Sequence, residues 1–111
     1  MAGLPTPFAE EVLDLVARIP RGRAMSYGDV AAVLGSGGPR QVGRTMSQFG
    51  SGVPWWRVIR ADGTPAEAVA DEALRRLRRD RTPLTAAGDR VDWSRARWRP
   101  STNEEQLDGT G

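Results

Sequence analysis

The stretch Val53-Pro54-Trp55-Trp56-Arg57-Val58-Ile59-Arg60 constrains the fold more than any other part of the chain. Proline fixes the backbone ahead of two adjacent indoles, and the apolar pair Val58-Ile59 follows, the pattern of a loop entering a short buried strand. In a strand or tight turn, neighbouring side chains point to opposite faces. At most one of Trp55 and Trp56 can then enter a given core. The other must cover a surface or stack on a ligand.

The segments around this stretch have helical periodicity. Thr6 is placed to cap a helix that opens with Pro7, carries Glu10 and Glu11 in its first turn, and aligns Phe8, Val12, Leu15, Val16 and Ile19 on one face. Pro20 and Arg21-Gly22 end it, and Arg23 to Tyr27 reads as a short link. Ser26 with Asp29 forms a capping-box start for a second helix that carries Val30, Ala31, Val33 and Leu34 and stops at Gly35. After the break at residues 35–39, Arg40 to Phe49 is a third helix, with Val42, Met46 and Phe49 inward and Gly43 allowing close approach. Two short helices joined by a glycine-bearing turn have a helix-turn-helix outline. Asp62-Gly63 is a turn, and Pro65 opens a fourth helix to about Arg79 with Ala66, Val69, Ala70, Ala73, Leu74 and Leu77 inward. The arginines at 75, 76, 78, 79 and 81 crowd its C-terminal end, where the helix dipole favours cations and a solvated face accommodates them. Leu84 and Val91 flank a Gly88-Asp89 turn, and Asp92 to Pro100 interleaves tryptophan with arginine.

Composition narrows the chemistry. A chain of 111 residues forms one domain with a single modest core. It has no cysteine and no histidine, so it lacks a thiol nucleophile, an imidazole base and the common soft-metal ligands. No cofactor or metal is expected. A carboxylate-based enzyme such as a glycosylase would have to draw on Asp14, Asp29, Asp62, Asp71 or Asp92, each of which reads plainly as a cap, turn former or surface charge. All 16 basic residues are arginine, and three of the 14 acids fall in residues 101–111, leaving residues 1–100 with 16 bases against 11 acids. An arginine-rich body points to phosphates as partners. No run of about 18 apolar residues and no signal pattern is present, so a soluble cytoplasmic monomer without a membrane partner is expected. The expected organisation is a loose leader at 1–5, one domain at 6–100 and a disordered acidic tail at 101–111.

Set together, Ser26-Tyr27 before one helix, Arg40-Gln41-Val42-Gly43 opening the next and Pro54-Trp55-Trp56-Arg57-Val58-Ile59 resemble the C-terminal DNA-binding domain of the O6-alkylguanine-DNA alkyltransferases. Their motif reads Pro-Cys-His-Arg-Val followed by Val or Ile. Trp55 stands in the cysteine position, as in the alkyltransferase-like subgroup, and the segment from Arg90 to Pro100 is similar to the closing signature of that subgroup. The resemblance runs from about Phe8 to Pro100. It implies a mostly α fold with a small β element, a winged-helix-like helix-turn-helix domain.

The resemblance also implies roles. Tyr27 matches the tyrosine that helps rotate the phosphate of a flipped nucleotide, and Arg40 the arginine finger that fills the space left in the stack. Gln41, Arg44 and Ser51 join them as expected DNA contacts. Val53, Pro54, Trp55, Trp56 and Arg57, with Tyr27, are expected around the lesion pocket, Arg57 mainly holding the strand. Trp56 replaces the family histidine, the link from Met46 to Trp55 is about two residues shorter and lacks an asparagine, and the lid after Gly63 shrinks to Thr64-Pro65-Ala66. Without a thiol the family's reaction is unavailable. The resemblance therefore implies a non-enzymatic sensor of duplex DNA containing O6-alkylguanine, with nucleotide excision repair proteins as partners. The alternative is a helix-turn-helix regulator that reads sequence by turning Gln41, Arg44 and Ser47 toward major-groove base edges.

Overall fold

A computed structural model describes residues 4–100. The expected tail at 101–111 and the first three residues of the expected leader lie outside the described residues.

Helix α1 spans Pro7–Ala17, and the Thr6 hydroxyl accepts a 3.1 Å hydrogen bond from the Ala9 amide, satisfying a donor the helix leaves open. Helix α2 spans Tyr27–Leu34 with a complete capping box between Ser26 and Asp29. It ends at Gly35 in the left-handed region (φ 72°), a conformation open to glycine. Helix α3 spans Pro39–Phe49. These three helices pack around Val12, Leu15, Val16, Val30 and Val42, each with 0% exposure. Full burial of such a side chain contributes about 1.5–3 kcal/mol relative to leaving it exposed.

The β element is small, as the resemblance implies, and has one strand more than the sequence indicates. Strand β1 (Met25–Ser26) pairs in parallel with β2 (Val58–Ile59), aligning Met25 with Val58 and Ser26 with Ile59. The link expected at Arg23 to Tyr27 therefore contains a strand, which forms only because β2 arrives from more than thirty residues away. Side chains alternate across β2. Val58 joins the three-helix core, whereas Ile59 joins a second cluster with Ala24, Leu77, Val91 and Ala96. The two-stranded sheet is thus the wall between two small cores, not the edge of one.

Beyond β2 the expected fourth helix is shorter. Residues 67–69 form a 3₁₀ turn, and helix α4 begins at Ala70 and runs to Arg79. Ala73 and Leu77 are buried as expected, but Val69 is 41% exposed because the tighter turn rotates it off the inward stripe. Val33 on α2 is likewise 48% exposed, whereas Val30 and Ala31 of the same helix are buried. Leu84 and Val91 form the antiparallel bridge around Gly88, and a last short helix α5 (Trp93–Ala96) is capped by Asp92. Gly63 has φ 90° and lies where a Cβ would sit 2.8 Å from the Val91 carbonyl, so glycine is required at this close approach. Arg97 closes the chain onto α2 through an ion pair with Asp29 and stacks 4.4 Å over Trp93, which accounts for part of the arginine-tryptophan interleaving without nucleic acid.

Candidate functional site

The two tryptophans part company in a single turn. Residues Trp55–Arg57 form a 3₁₀ turn, not the extended entry expected, so successive side chains are splayed by about 120°. Their rings meet edge to face at 5.8 Å and 90°. Trp56 packs against the second core and donates its indole N–H to Asp80 at 2.8 Å. Trp55 turns to the other side and lines a cavity of about 400 Å³. That volume falls in the range of about 300–1,000 Å³ of small-molecule pockets.

Four further elements complete the cavity around the Trp55 turn. Tyr27 comes from the first turn of α2, Gly43, Met46 and Ser47 from one face of α3, Gly50 and Ser51 from the turn that follows, and Ala66, Ala68 and Val69 from the 3₁₀ segment before α4. Burial raises the Tyr27 hydroxyl pKa, with the nearby Arg60 charge opposing, so the phenol stays a neutral donor at physiological pH. Gly43 does not serve a close helix contact, since a Cβ there would meet nothing within 4 Å; it leaves the cavity floor bare. The lid does not end at Ala66, because Ala68 and Val69 continue the wall.

Of the residues expected at the pocket, Tyr27 and Trp55 line it, and Ser51, expected to contact DNA, lines it too. Val53, Pro54, Trp56 and Arg57 do not. Val53 packs on the three-helix core, Pro54 precedes the 3₁₀ turn, and that turn sends Trp56 and Arg57 to the far side. Arg57 donates to both oxygens of Asp80 at 2.7 and 3.1 Å and to the Ile19 carbonyl at 2.9 Å, tying β2 to the ends of α4 and α1. Met46 and Val69, expected in the core, line the cavity, and Asp80 carries no signal in the sequence. Met46 and Val69 fit helical core stripes, and nothing local marks Asp80 as the partner of a residue 23 positions earlier.

Asp80 is 9% exposed. Burial raises its carboxyl pKa, but hydrogen bonds from Arg57 and Trp56 together with the Arg57 charge outweigh that, and the net shift is downward from the ordinary 3.8. A lowered native pKa contributes stability above the ordinary value that is lost as pH falls through the native one. Unfolding free energy should therefore hold from neutral pH to about 4 and decline below it. Thr64 and Ser94 hydrogen bonds lower the Asp62 and Asp92 pKa values as well, so the comparison is with Asp80→Asn. An equal acid slope in wild type and Asp80→Asn, read by urea melts, would exclude Asp80 as the source.

Helix α3 presents Arg40, Gln41, Arg44, Ser47 and Gln48 as exposed residues with no acid among them. Arg40 does not line the cavity; it lies one turn before Gly43 on the stripe of α3 that continues to Ser47, and both of those residues do. Gln41 and Arg44 lie on the other flank, where with Thr6, Phe8 and Phe49 they line a separate groove of about 280 Å³. Of the expected DNA contacts, Arg40, Gln41 and Arg44 thus fall on two flanks of α3, whereas Tyr27 belongs to α2 and Ser51 to the turn after α3.

The family described as 6-O-methylguanine DNA methyltransferase, DNA binding domain, matches residues 7–82. The chain belongs to this family. It is similar to the DNA base-flipping protein of Escherichia coli (strain K12), at 37% identity over 100 residues covering 82% of this chain and 74% of that protein. It is also similar to the methylated-DNA–protein-cysteine methyltransferase of Methanothermobacter thermautotrophicus, at 43% identity over 60 residues, 52% of this chain and 34% of that one. The crystal structure of Schizosaccharomyces pombe Atl1 in complex with damaged DNA containing O6-carboxymethylguanine superposes with a TM-score of 0.74 at 29% identity, covering 87% of this chain and 100% of that one. In family terms the cavity carries an indole at the motif cysteine position, and Trp56, in the histidine position, serves the second core.

Proposed function

We propose that this protein is a non-enzymatic DNA-damage sensor. As a cytoplasmic monomer it grips duplex DNA through the minor groove, flips O6-alkylguanine into the Trp55 cavity and flags the site for nucleotide excision repair. The observation that carries this reading is the placement of Trp55: where the family reaction needs a thiolate, an indole forms the wall of an open, largely apolar cavity beside the exposed face of α3. A chain with no cysteine cannot form the sulfur–carbon bond of alkyl transfer, so binding is what remains. The names of the relatives support it, one a base-flipping protein and another solved on alkylated DNA.

The energetics follow from base flipping. Extruding a base costs a few kcal/mol of unstacking and unpairing, less when alkylation has already weakened the pair. Arg40 entering the vacated stack offsets part of that. Trp55 packing against the alkylated purine contributes about 1–3 kcal/mol, the range for a base stacked on an aromatic side chain. Tyr27, held neutral at the cavity edge, can donate to the displaced backbone.

A gel-shift comparison of one duplex with and without a single O6-methylguanine tests the reading directly. Tighter binding of the damaged duplex is expected, with a larger change in tryptophan fluorescence than clean DNA produces, and no release of a radiolabelled methyl to the protein. Affinity that follows base sequence and ignores the alkyl group would instead establish the regulator reading, in which the exposed Gln41, Arg44 and Ser47 contact major-groove edges.

A further inference from the structure

Arg76 on α4 is partly exposed but, unlike Arg75, Arg78 and Arg79, lies against aromatic rings. Its guanidinium lies 4.8 Å from the centroid of Trp56 and 5.7 Å from that of Trp55, so one cation is shared by both indoles. Glu72 steers it there through hydrogen-bonded contacts at 2.9 and 3.0 Å one turn earlier on the helix. Trp56 holds still because Asp80 fixes its N–H and Arg57 lies 5.2 Å from its ring. Arg76 does not line the cavity, whereas Trp55 does, so a guest would meet the indole that the guanidinium also contacts. No carboxylate lines the cavity, and Arg60 adds a second positive charge near Tyr27.

We infer that Arg76 makes the cavity selective for neutral alkylated bases over cationic ones. This rests on the proposed use of the cavity as a base pocket. Alkylation at O6 leaves guanine neutral, whereas alkylation at N7 puts a fixed positive charge on the ring. An indole with nothing on its far side attracts a cation. One that already carries a guanidinium offers less of that attraction, and the guanidinium repels a second cation, a repulsion that solvent screens because the Arg76 side chain is 37% exposed. Glu72 and solvent moderate the repulsion, and the expected discrimination attributable to Arg76 is about tenfold, equivalent to about 1.4 kcal/mol.

The test measures three duplexes of one sequence, carrying guanine, O6-methylguanine or N7-methylguanine (the last on a 2′-fluoro sugar to prevent depurination), against wild type, Arg76→Gln and Arg76→Lys at one salt concentration. Ratios between duplexes cancel the general loss of phosphate attraction that removing an arginine brings. The expected result is that Arg76→Gln raises affinity for the N7-methylguanine duplex relative to the O6-methylguanine duplex about tenfold, while Arg76→Lys keeps the wild-type ratio. An unchanged ratio in Arg76→Gln, or a Lys variant that behaves like Gln, overturns the role of the charge. If wild type binds O6-methylguanine and guanine equally, the sensor reading itself falls, an outcome distinct from the other two.

Discussion

Replacing Arg40 by alanine is expected to weaken binding to an O6-methylguanine duplex by well over tenfold, more than about 1.4 kcal/mol, while leaving the fold intact. Arg40 is the second residue of α3, exposed, and without an ion pair or side-chain hydrogen bond among the described residues. A cation in the first turn of a helix opposes the helix dipole, so its removal should be neutral or slightly stabilising to the free protein. The position makes no structural sense and good functional sense. Its stripe of α3 runs on to Gly43 and Ser47, which line the cavity, and the proposed function has it enter the stack as the base leaves. Affinity and thermal stability measured on the same preparation separate the two roles. Equal affinity of variant and wild type for the damaged duplex would remove the finger, and a large loss of stability would show a structural role instead.

The second large effect concerns Asp80. Asp80→Ala should destabilise the protein by about 3–5 kcal/mol, the range for removing one partner of a buried ion pair, because the Arg57 side chain, only 14% exposed, loses its counter-charge and Trp56 loses its acceptor. Against total stabilities of about 5–15 kcal/mol for single domains, that is a large fraction. In urea the midpoint should fall with the slope unchanged. The effect should reach the cavity too, since Asp80 holds Trp56, and Trp56 with Arg76 backs Trp55. A loss below about 1 kcal/mol would mean that water replaces Asp80 at little expense and that its bonds to Arg57 and Trp56 do not hold the turn.

These two residues mark the two kinds of information in the chain. The position of Arg40 is legible from local grammar, a glycine break, a proline start and an arginine on the first turn, and the role proposed for it comes from the family order. Asp80 is not legible, because its meaning exists only once the end of α4 is brought to the 3₁₀ turn at Trp55. Nothing in Arg79-Asp80-Arg81 separates it from the other acids at helix ends.

By itself the sequence determined the helix starts at Thr6 and Ser26, the glycine stop at Gly35, the helix-turn-helix order and the absence of any thiol or imidazole chemistry. Those are properties of residue type and short-range spacing. Only the tertiary structure decided which tryptophan faces the cavity, that Met46 and Val69 line it and are not fully in the core, and that β1 exists at all. Each of these depends on pairs of residues far apart in the chain. A 3₁₀ turn in place of a strand redirects side chains by tens of degrees, a difference that packing selects and local propensity does not encode.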